Sequence, residues 1–248
     1  MKYVLSVVAL VMGSATVSAV SAADLIVDQP GMVEAATSPF DGFYAGVHAG
    51  YGWANTTGEA CFYSLGPTCE EPLPIDYNQT GWLLGAQAGA NFVMDSGLLM
   101  GAEVSGSWAN IHGTEDLPNM MLDIDDAGTG YTRTIDALGL AVAKLGFASD
   151  TFSLYGMGGL ALGHSITDID LGFATLGYET MHTGWTLGLG AEAMVADRVS
   201  VFASYNYISF GEVTGHDSEW IMDTPFAIET TTQMDMHVAK VGLNYHFD

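Results

Sequence analysis

Basic residues are scarce in this sequence. Its 248 residues include five Lys and Arg against 29 Asp and Glu, which gives a formal net charge of −24 at pH 7. A chain this acidic is repelled by the phosphates of nucleic acid, so nucleic acid is excluded as a partner. Charge alone cannot hold the chain on an anionic membrane surface either.

Long apolar runs are absent after the N-terminus. The best candidate for a membrane helix, residues 135–148, is short and is interrupted by Lys144. A spanning helix needs about 20 consecutive apolar residues. Any insertion into a membrane must therefore use strands.

The N-terminus, residues 1–23, predicts a secretory signal peptide. Lys2 supplies the positive n-region, a short apolar core follows at 4–12, and small residues permit cleavage after Ala22 or Ala23. The alternative is a transmembrane anchor, for which the apolar core is too short.

Cysteine is nearly absent, since Cys61 and Cys69 are the only two. In an exported protein a close pair favours a disulfide bond. The alternative is a metal site, but neither a third cysteine nor a nearby histidine completes one.

Apolar residues are abundant, at 49% of the chain, and they alternate with other residues. In the first segment Phe43, Ala45 and Val47 alternate with Tyr44 and Gly46. A period of two is the signal of a β-strand. Eight segments share it: 43–53, 82–92, 98–108, 137–147, 152–162, 185–195, 199–209 and 237–247.

The length of these segments suits a membrane. Ten steps of about 3.3 Å, tilted by about 40–45°, rise about 23–25 Å, which is the height of the apolar band of an outer-membrane barrel. Aromatic residues collect at both segment ends, as two membrane interfaces require and as an aromatic-rich soluble sandwich does not. They are Trp53, Trp82, Trp108 and Trp185 at one end, and Phe43, Phe92, Phe147, Phe152 and Phe247 at the other.

Short and long connections alternate along the chain. Short turns near 95–97, 149–150 and 197–198 alternate with four loops of about 20 to 30 residues. We therefore predict an all-β fold, an eight-stranded antiparallel transmembrane β-barrel with short periplasmic turns and four long external loops. The barrel occupies residues 42–248 and follows a periplasmic N-terminal segment at 24–41.

The fourth strand is ambiguous in its facing. Leu138, Leu140 and Val142 would point inward if this strand followed the others. The reverse orientation is therefore the alternative for this strand.

Four ionisable residues fall on the predicted inward face: Glu103, Lys144, Glu192 and Lys240. A lone buried ion is costly, whereas two acids and two bases can pair and hydrogen-bond. We predict a buried ionic cluster that fills the barrel. The alternative is that some of these groups lie in water at the barrel mouths.

Several segments resemble one bacterial family. They are Asp-Gly-Phe-Tyr-Ala-Gly at 41–46, Gly-Tyr-Gly-Trp at 50–53, and the stretches 154–161, 183–192 and 241–247. The family is the OmpA-like outer-membrane β-barrel family of alphaproteobacteria, which includes porin-family proteins and opacity-type surface antigens. The resemblance implies the cell outer membrane as location, with outer-membrane lipid, lipopolysaccharide and the barrel-assembly machinery as partners. Val142, Ser204 and the final Asp248 depart from the family pattern.

No catalytic, cofactor-binding or metal-binding residues are predicted. His164 and Ser165 lie at the rim of the fifth strand, where a lipid-modifying hydrolase would need its nucleophile and base in contact. Neighbours on a strand point to opposite faces, so these two cannot share a substrate. Asp123, Asp125 and Asp126 resemble a calcium loop that lacks its closing Glu.

The expected function is that of a structural, surface-exposed barrel that contributes to envelope integrity without catalytic turnover. The main alternative is an adhesin, or a receptor for a small molecule such as haem, that binds a host or small-molecule ligand through the external loops. A narrow porin and a lipid-modifying enzyme are further alternatives. Apolar loop residues either form a binding surface or fold over the barrel mouth; they are Phe62, Tyr63, Met120, Met121, Trp220 and Ile221.

The cysteine pair gives a testable prediction. Cys61 and Cys69 should be joined, and closure of so short a loop should stabilise the protein by roughly 2–3 kcal/mol through the unfolded chain. Thiol titration of the unreduced, denatured protein should find no free thiols. Reduction should leave the barrel folded, because the strands do not depend on this loop. Two titratable thiols before reduction would contradict the pairing.

Overall fold

A computed structural model describes residues 38–63, 73–116, 130–170, 175–221 and 224–247. The predicted all-β, closed eight-stranded antiparallel barrel is confirmed, because each strand pairs with the next along the chain and β1 also pairs with β8. No helix of membrane-spanning length and hydropathy occurs among these residues. The strands are β1 Gly42–Tyr63, β2 Leu73–Val93, β3 Leu98–Asp116, β4 Gly130–Ala148, β5 Phe152–Asp170, β6 Thr175–Ala196, β7 Val199–Ile221 and β8 Thr224–His246.

Strand stagger sets the width of the barrel. A ladder of paired residues that starts at Tyr44 on β1 and crosses every strand returns to β1 at Ala54, ten residues further along. Ten steps of ~3.3 Å against eight strands ~4.8 Å apart tilt the strands by about 40° and give a radius of about 8 Å. Such a barrel has room only for its own side chains or one small ligand.

The outer wall is an apolar band bounded by aromatic rings. Val104, Leu160, Leu187 and Leu189 project outward and are more than half exposed. So many large apolar side chains on one surface suit lipid rather than water. Phenylalanines border the band at one end and tryptophans at the other: Phe43, Phe92, Phe147, Phe152 and Phe247, then Trp82, Trp108, Trp185 and a half-buried Trp53.

The two ends of the barrel differ. Short connections at 94–97, 149–151 and 197–198 lie at the phenylalanine end, which we call the turn end. The tryptophan end is called the loop end. Both the first residues of β1 and the last residues of β8 lie at the turn end, because an even number of antiparallel strands returns the chain to its starting side.

The prediction of four long loops is wrong, because the strands do not end at the tryptophans. β7 continues to Ile221 and β8 begins at Thr224, so only 222–223 separate them. The other connections at the loop end are 64–72, 117–129 and 171–174. Outside the lipid a strand need not place apolar residues at every second position, so the sequence pattern did not reveal these extensions.

The fourth strand faces as the others do. Leu138, Leu140 and Val142 are buried in the lumen together with Lys144, whereas Leu145 projects outward. The reverse orientation is wrong. It would have placed the Lys144 ammonium in lipid, which is costly.

The four residues before β1 cover the lumen at the turn end. Phe40 is fully buried, its carbonyl oxygen accepts a hydrogen bond from Asn91 Nδ2 at 3.3 Å, and its ring packs edge-on against His246 at 5.9 Å. Asp41 Oδ1 accepts a hydrogen bond from the backbone N–H of Val93 at 2.8 Å. These contacts close the lumen at the turn end.

Several predicted features lie outside the described residues. They include the signal peptide at 1–23, most of the segment at 24–41, and Cys69 with the side chain of Cys61. The carboxylates at 123–126 and the apolar loop side chains also lie there. The disulfide and the signal peptide therefore stay predictions.

The apolar band gives a second testable prediction. Leu189 lies on β6, four residues from the tryptophan border, and is 70% exposed. Leu189→Arg should lower the free energy of unfolding by about 2–4 kcal/mol, because it places a guanidinium near the bilayer centre. Val195→Arg, on the same strand beyond the phenylalanines, should cost about 0–1 kcal/mol. Denaturant unfolding in lipid vesicles, followed by tryptophan fluorescence, measures both; equal losses would show that the band does not face lipid.

Candidate functional site in the barrel lumen

Three layers of side chains fill the lumen between the turn end and the loop end. Strand parity decides which residues point inward, so each layer collects side chains from several strands. The layer next to the turn end, called the ionic layer, contains Tyr44, His48, Gln87, Glu103, Ser107, Lys144, Tyr155, Glu192, Ser200, Lys240, Asn244 and His246. An apolar layer and a small polar cluster follow.

The ionic layer contains one direct ion pair. Lys144 Nζ lies 2.5 Å from Glu103 Oε2, and the same oxygen accepts a hydrogen bond from the Tyr44 hydroxyl at 2.7 Å. Lys144 also donates to Tyr44 Oη at 2.7 Å and lies 4.5 Å from the ring centroid of Tyr155. That ring can approach because Gly190 has no Cβ to collide with it. The pair therefore has the additional hydrogen bonds that a buried ion pair needs. The Tyr155 ring adds a cation–π contact to the ammonium.

Glu192 is buried without a lysine in contact. Its Oε1 accepts hydrogen bonds from the Ser200 hydroxyl and from Asn244 Nδ2, the latter at 2.7 Å, and His246 Nε2 lies 3.3 Å away. Because Ser200 gives its single proton to Glu192, it can only accept from His246 Nε2 at 2.9 Å. The carboxylate thus exchanges its hydration shell for donors on β7 and β8.

A chain of hydrogen bonds continues from Glu192 across the barrel. Gln87 Nε2 donates to Asn244 Oδ1 at 2.6 Å, so Gln87 Oε1 is left to accept from His48 Nδ1 at 2.6 Å. In the neutral ring, His48 Nε2 then accepts from the Ser107 hydroxyl at 2.8 Å. The chain connects five strands and fixes the tautomer of the histidine.

Lys240 stands apart from the other predicted members. It is buried on β8, on the side of the ionic layer that faces the loop end, and no described carboxylate lies within salt-bridge distance of its ammonium. The structure brings Glu103 and Lys144 together but does not bring Glu192 to a lysine. The four predicted residues share the lumen, and among them Glu103 and Lys144 are in direct contact, because strand stagger decides which inward residues meet.

The uncharged members of the ionic layer were not predicted from the sequence to be partners of the buried ions. Tyr44, His48, Asn244 and His246 all have inward parity on their strands. Parity alone could have selected them as partners for the buried ions. The predicted cluster contained charged residues alone, although neutral donors satisfy Glu192 here.

An apolar layer separates the ionic layer from the loop end. Its members come from seven of the eight strands: Ala54, Leu83, Ile111, Leu138, Leu140, Ala161, Ile208, Met236 and Val238. Leu83, Ile208 and Met236 are completely buried. A hydrated ion or polar solute would lose its hydrogen bonds in such a layer, which therefore closes the lumen.

A polar cluster of Arg133, Ser165 and His182 lies beyond the apolar layer. Arg133 Nη2 donates to His182 Nε2 at 2.6 Å and to Ser165 Oγ at 3.3 Å. A guanidinium has no acceptor, so this ring nitrogen accepts and His182 is neutral. Phe210 packs edge-on against the same ring at 5.9 Å.

The His164–Ser165 pair is not assembled as a reactive site. Ser165 points into the lumen, whereas His164 points away from it, with Nδ1 2.6 Å from Asp136 Oδ1. Ser165 instead lies 3.0 Å from His182 Nε2, a contact between strands that parity permits but does not specify. The His182 nitrogen already accepts a hydrogen bond from Arg133, so it is not available as a base. Ser165 is also fully buried, so this pair presents no activated nucleophile at the surface. Among the described residues no three His, Cys, Asp or Glu side chains are placed to hold a metal ion.

Comparisons with known proteins agree with the fold. The model of the outer membrane protein beta-barrel domain family matches residues 7–247. The 31 kDa outer-membrane immunogenic protein of Brucella melitensis is 30% identical over 236 residues, which is 91% of this chain and 92% of that protein. Outer membrane protein PagN of Salmonella typhimurium is 30% identical over 105 residues, 40% of this chain and 44% of that protein.

A solved structure shares the architecture alone. The outer membrane protein OprG of Pseudomonas aeruginosa superposes with a TM-score of 0.50 at 9% identity, covering 85% of this chain and 99% of that one. At such low identity the likeness concerns the course of the strands and carries nothing about ligands.

The ion pair gives a third testable prediction. Glu103→Gln should lower the free energy of unfolding by about 3–5 kcal/mol, because it leaves the Lys144 ammonium buried without its counter-ion. Glu59→Gln, at an exposed position of β1, is the matched control and should change stability by no more than about 0.5 kcal/mol. Adding Lys144→Met to Glu103→Gln should recover part of the loss. Unfolding in detergent or lipid measures all three, and equally mild effects of the two Glu→Gln changes would show a hydrated pair.

Proposed function

This chain belongs to the outer membrane protein beta-barrel domain family, and we propose that it serves as a structural, surface-exposed barrel that supports envelope integrity without catalytic turnover. The protein is located in the cell outer membrane, as its relatives are. In that membrane the turn end faces the periplasm and the loop end faces outward, because short turns are periplasmic in this class of barrel.

The filled lumen is the observation that carries this proposal. A barrel of about 8 Å radius leaves little space once side chains occupy it. A solute moving along the axis would have to displace Leu83, Ile208 and Met236 and then break the pair between Lys144 and Glu103. This arrangement argues against a narrow porin. It favours a structural role, in which the barrel wall and the outer surface of the protein carry the function.

The position of the reactive side chains supports a function without turnover. Ser165, whose hydroxyl lies 3.0 Å from His182 Nε2, is sealed inside the lumen. His164, which faces outward, is held by Asp136 rather than by a nucleophile. A lipid-modifying enzyme needs the nucleophile and base on the same accessible face.

Binding at the outer surface is a second candidate function. The observation that favours it is the continuation of the strands beyond the tryptophans, which raises paired backbone well above the lipid. The name of the Brucella relative describes that outer-membrane protein as immunogenic. An adhesin or a receptor for a small ligand such as haem would use this region, and lipopolysaccharide and the barrel-assembly machinery are the other proposed partners.

Gene deletion with complementation tests the structural role and is the fourth prediction. The native bacterium without this protein should become more sensitive to detergents and to large antibiotics that an intact outer membrane excludes. The wild-type chain should restore resistance. A variant in which short turns replace 64–72 and 117–129 keeps every strand, so it should restore resistance equally well.

Two results would contradict the proposal. Restoration by the wild-type chain but not by the loop-shortened variant, with both present at equal levels in the outer membrane, would favour the binding function. Stepwise ion conductance of the purified barrel in a planar bilayer would show that the apolar layer does not close the lumen.

A further inference from the structure

The barrel divides into two sheets beyond the tryptophans. The β2–β3 ladder ends at Thr80 and His112, and the β6–β7 ladder ends at Trp185 and Ser209, although all four strands continue. The remaining ladders run on to the loop end. The described outer part is therefore one sheet of β3, β4, β5 and β6 and another of β7, β8, β1 and β2, with two seams between them.

The seam between β6 and β7 is built into the local geometry. We define the β6–β7 seam as residues 175–184 of β6 and 210–221 of β7, which no backbone pairing joins in the described structure. β7 carries a bulge between Ser209 and Glu212, where Gly211 has a φ of +72° that favours glycine. At the base of the seam the Phe210 side chain is buried in the lumen, as the other even-numbered residues of this part of β7 are.

An open sheet edge presents unpaired N–H and C=O groups that can pair with another strand. Natural edges are commonly protected by proline, by lysine or by brevity. The second seam is protected in this way, because β2 carries Pro74 there and β3 continues for only 113–116. The β6–β7 seam contains neither proline nor lysine and is ten and twelve residues long on its two sides.

The sequence of this seam indicates the charge of a partner. It includes Glu179 on β6 and Glu212, Asp217 and Glu219 on β7, and no Lys or Arg on either side. A second copy of the same acidic chain would be repelled, whereas a basic strand would be attracted and oriented.

We propose that the β6–β7 seam is a docking site for an extended, basic segment of another protein, which adds to the β7 edge as a further strand. Backbone hydrogen bonds supply the affinity, and the acidic residues select a basic partner. This inference does not depend on the structural role, because a barrel can support the membrane and carry a docking edge together.

A synthetic peptide tests the proposal on the folded, full-length barrel in zwitterionic detergent. The probe is a ten-residue peptide in which Lys alternates with Val or Thr, with ¹³C-labelled carbonyl groups. The peptide should bind to the barrel, as measured by fluorescence anisotropy. In the infrared spectrum its labelled amide I band should shift to the frequency typical of a β-strand. An analogue of equal charge, N-methylated on four consecutive central residues, cannot pair along either edge and should bind at least ten-fold more weakly. Failure of the first peptide to bind, or equal binding of both, would overturn the proposal.

Substitutions on the protein give a matched comparison. Glu212→Gln with Glu219→Gln removes two charges from the seam, and Glu59→Gln with Glu229→Gln removes two from internal strands β1 and β8. The seam pair should weaken peptide binding several-fold more than the internal pair. Equal effects would show that the peptide follows the overall charge and not the edge.

Disulfide cross-linking tests whether β6 and β7 are unpaired along the seam in the free protein. The test uses a variant in which Ser replaces Cys61 and Cys69. Cysteines are then introduced at Met181 of β6 and at either Val213 or Thr214 of β7. Met181 would face one of these two β7 residues if the β6–β7 ladder continued. These pairs should stay reduced under mild oxidation, whereas the opposed control pair Ile166→Cys and Glu179→Cys of β5 and β6 should join. Complete joining across the seam, or dimers of the peptide-free barrel in sedimentation, would overturn the proposal.

Discussion

Backbone hydrogen bonding in lipid is the constraint on which the rest of this structure depends. No water reaches the bilayer core, so every N–H and C=O group within it must find a partner inside the protein. Eight strands meet this demand by closing β1 onto β8. Closure with an offset of ten residues then fixes the radius, and the radius leaves a lumen that side chains alone can fill. The sealed interior is therefore a consequence of strand number and stagger.

The composition of the lumen follows from the same constraint. Lipid takes the outward apolar side chains, so the inward positions are free to be polar, provided that each buried group is satisfied. Lys144 and Glu103 satisfy each other with help from Tyr44, whereas Glu192 relies on neutral donors and His246. Both solutions supply a buried charge with hydrogen bonds, and the apolar layer above them keeps solvent from competing.

The sequence predicts the parts of the fold that lipid imposes. A period of two, segment length and aromatic ends identified eight strands, because the outward side chains must suit the bilayer. The facing of the fourth strand stayed open, because its inward side chains are largely apolar too. The contact of Ser165 with His182 and that of Glu192 with His246 were beyond reach, since the pairing register of distant strands decides them. The β4 bulge near Asp136 is another such case. Beyond the lipid the alternation relaxes, so the sequence pattern predicts loops where the strands in fact continue.

The cross-strand contacts of the ionic layer have a consequence for assembly. Gln87 on β2 donates a hydrogen bond to Asn244 on β8, and Phe40 before β1 packs against His246 on β8. A sheet that has entered the membrane but has not yet closed β1 onto β8 lacks both contacts and leaves inward polar groups without partners. Intermediates with a missing strand are therefore less stable than the closed barrel. The groups that fill the lumen thus make the last step of insertion cooperative.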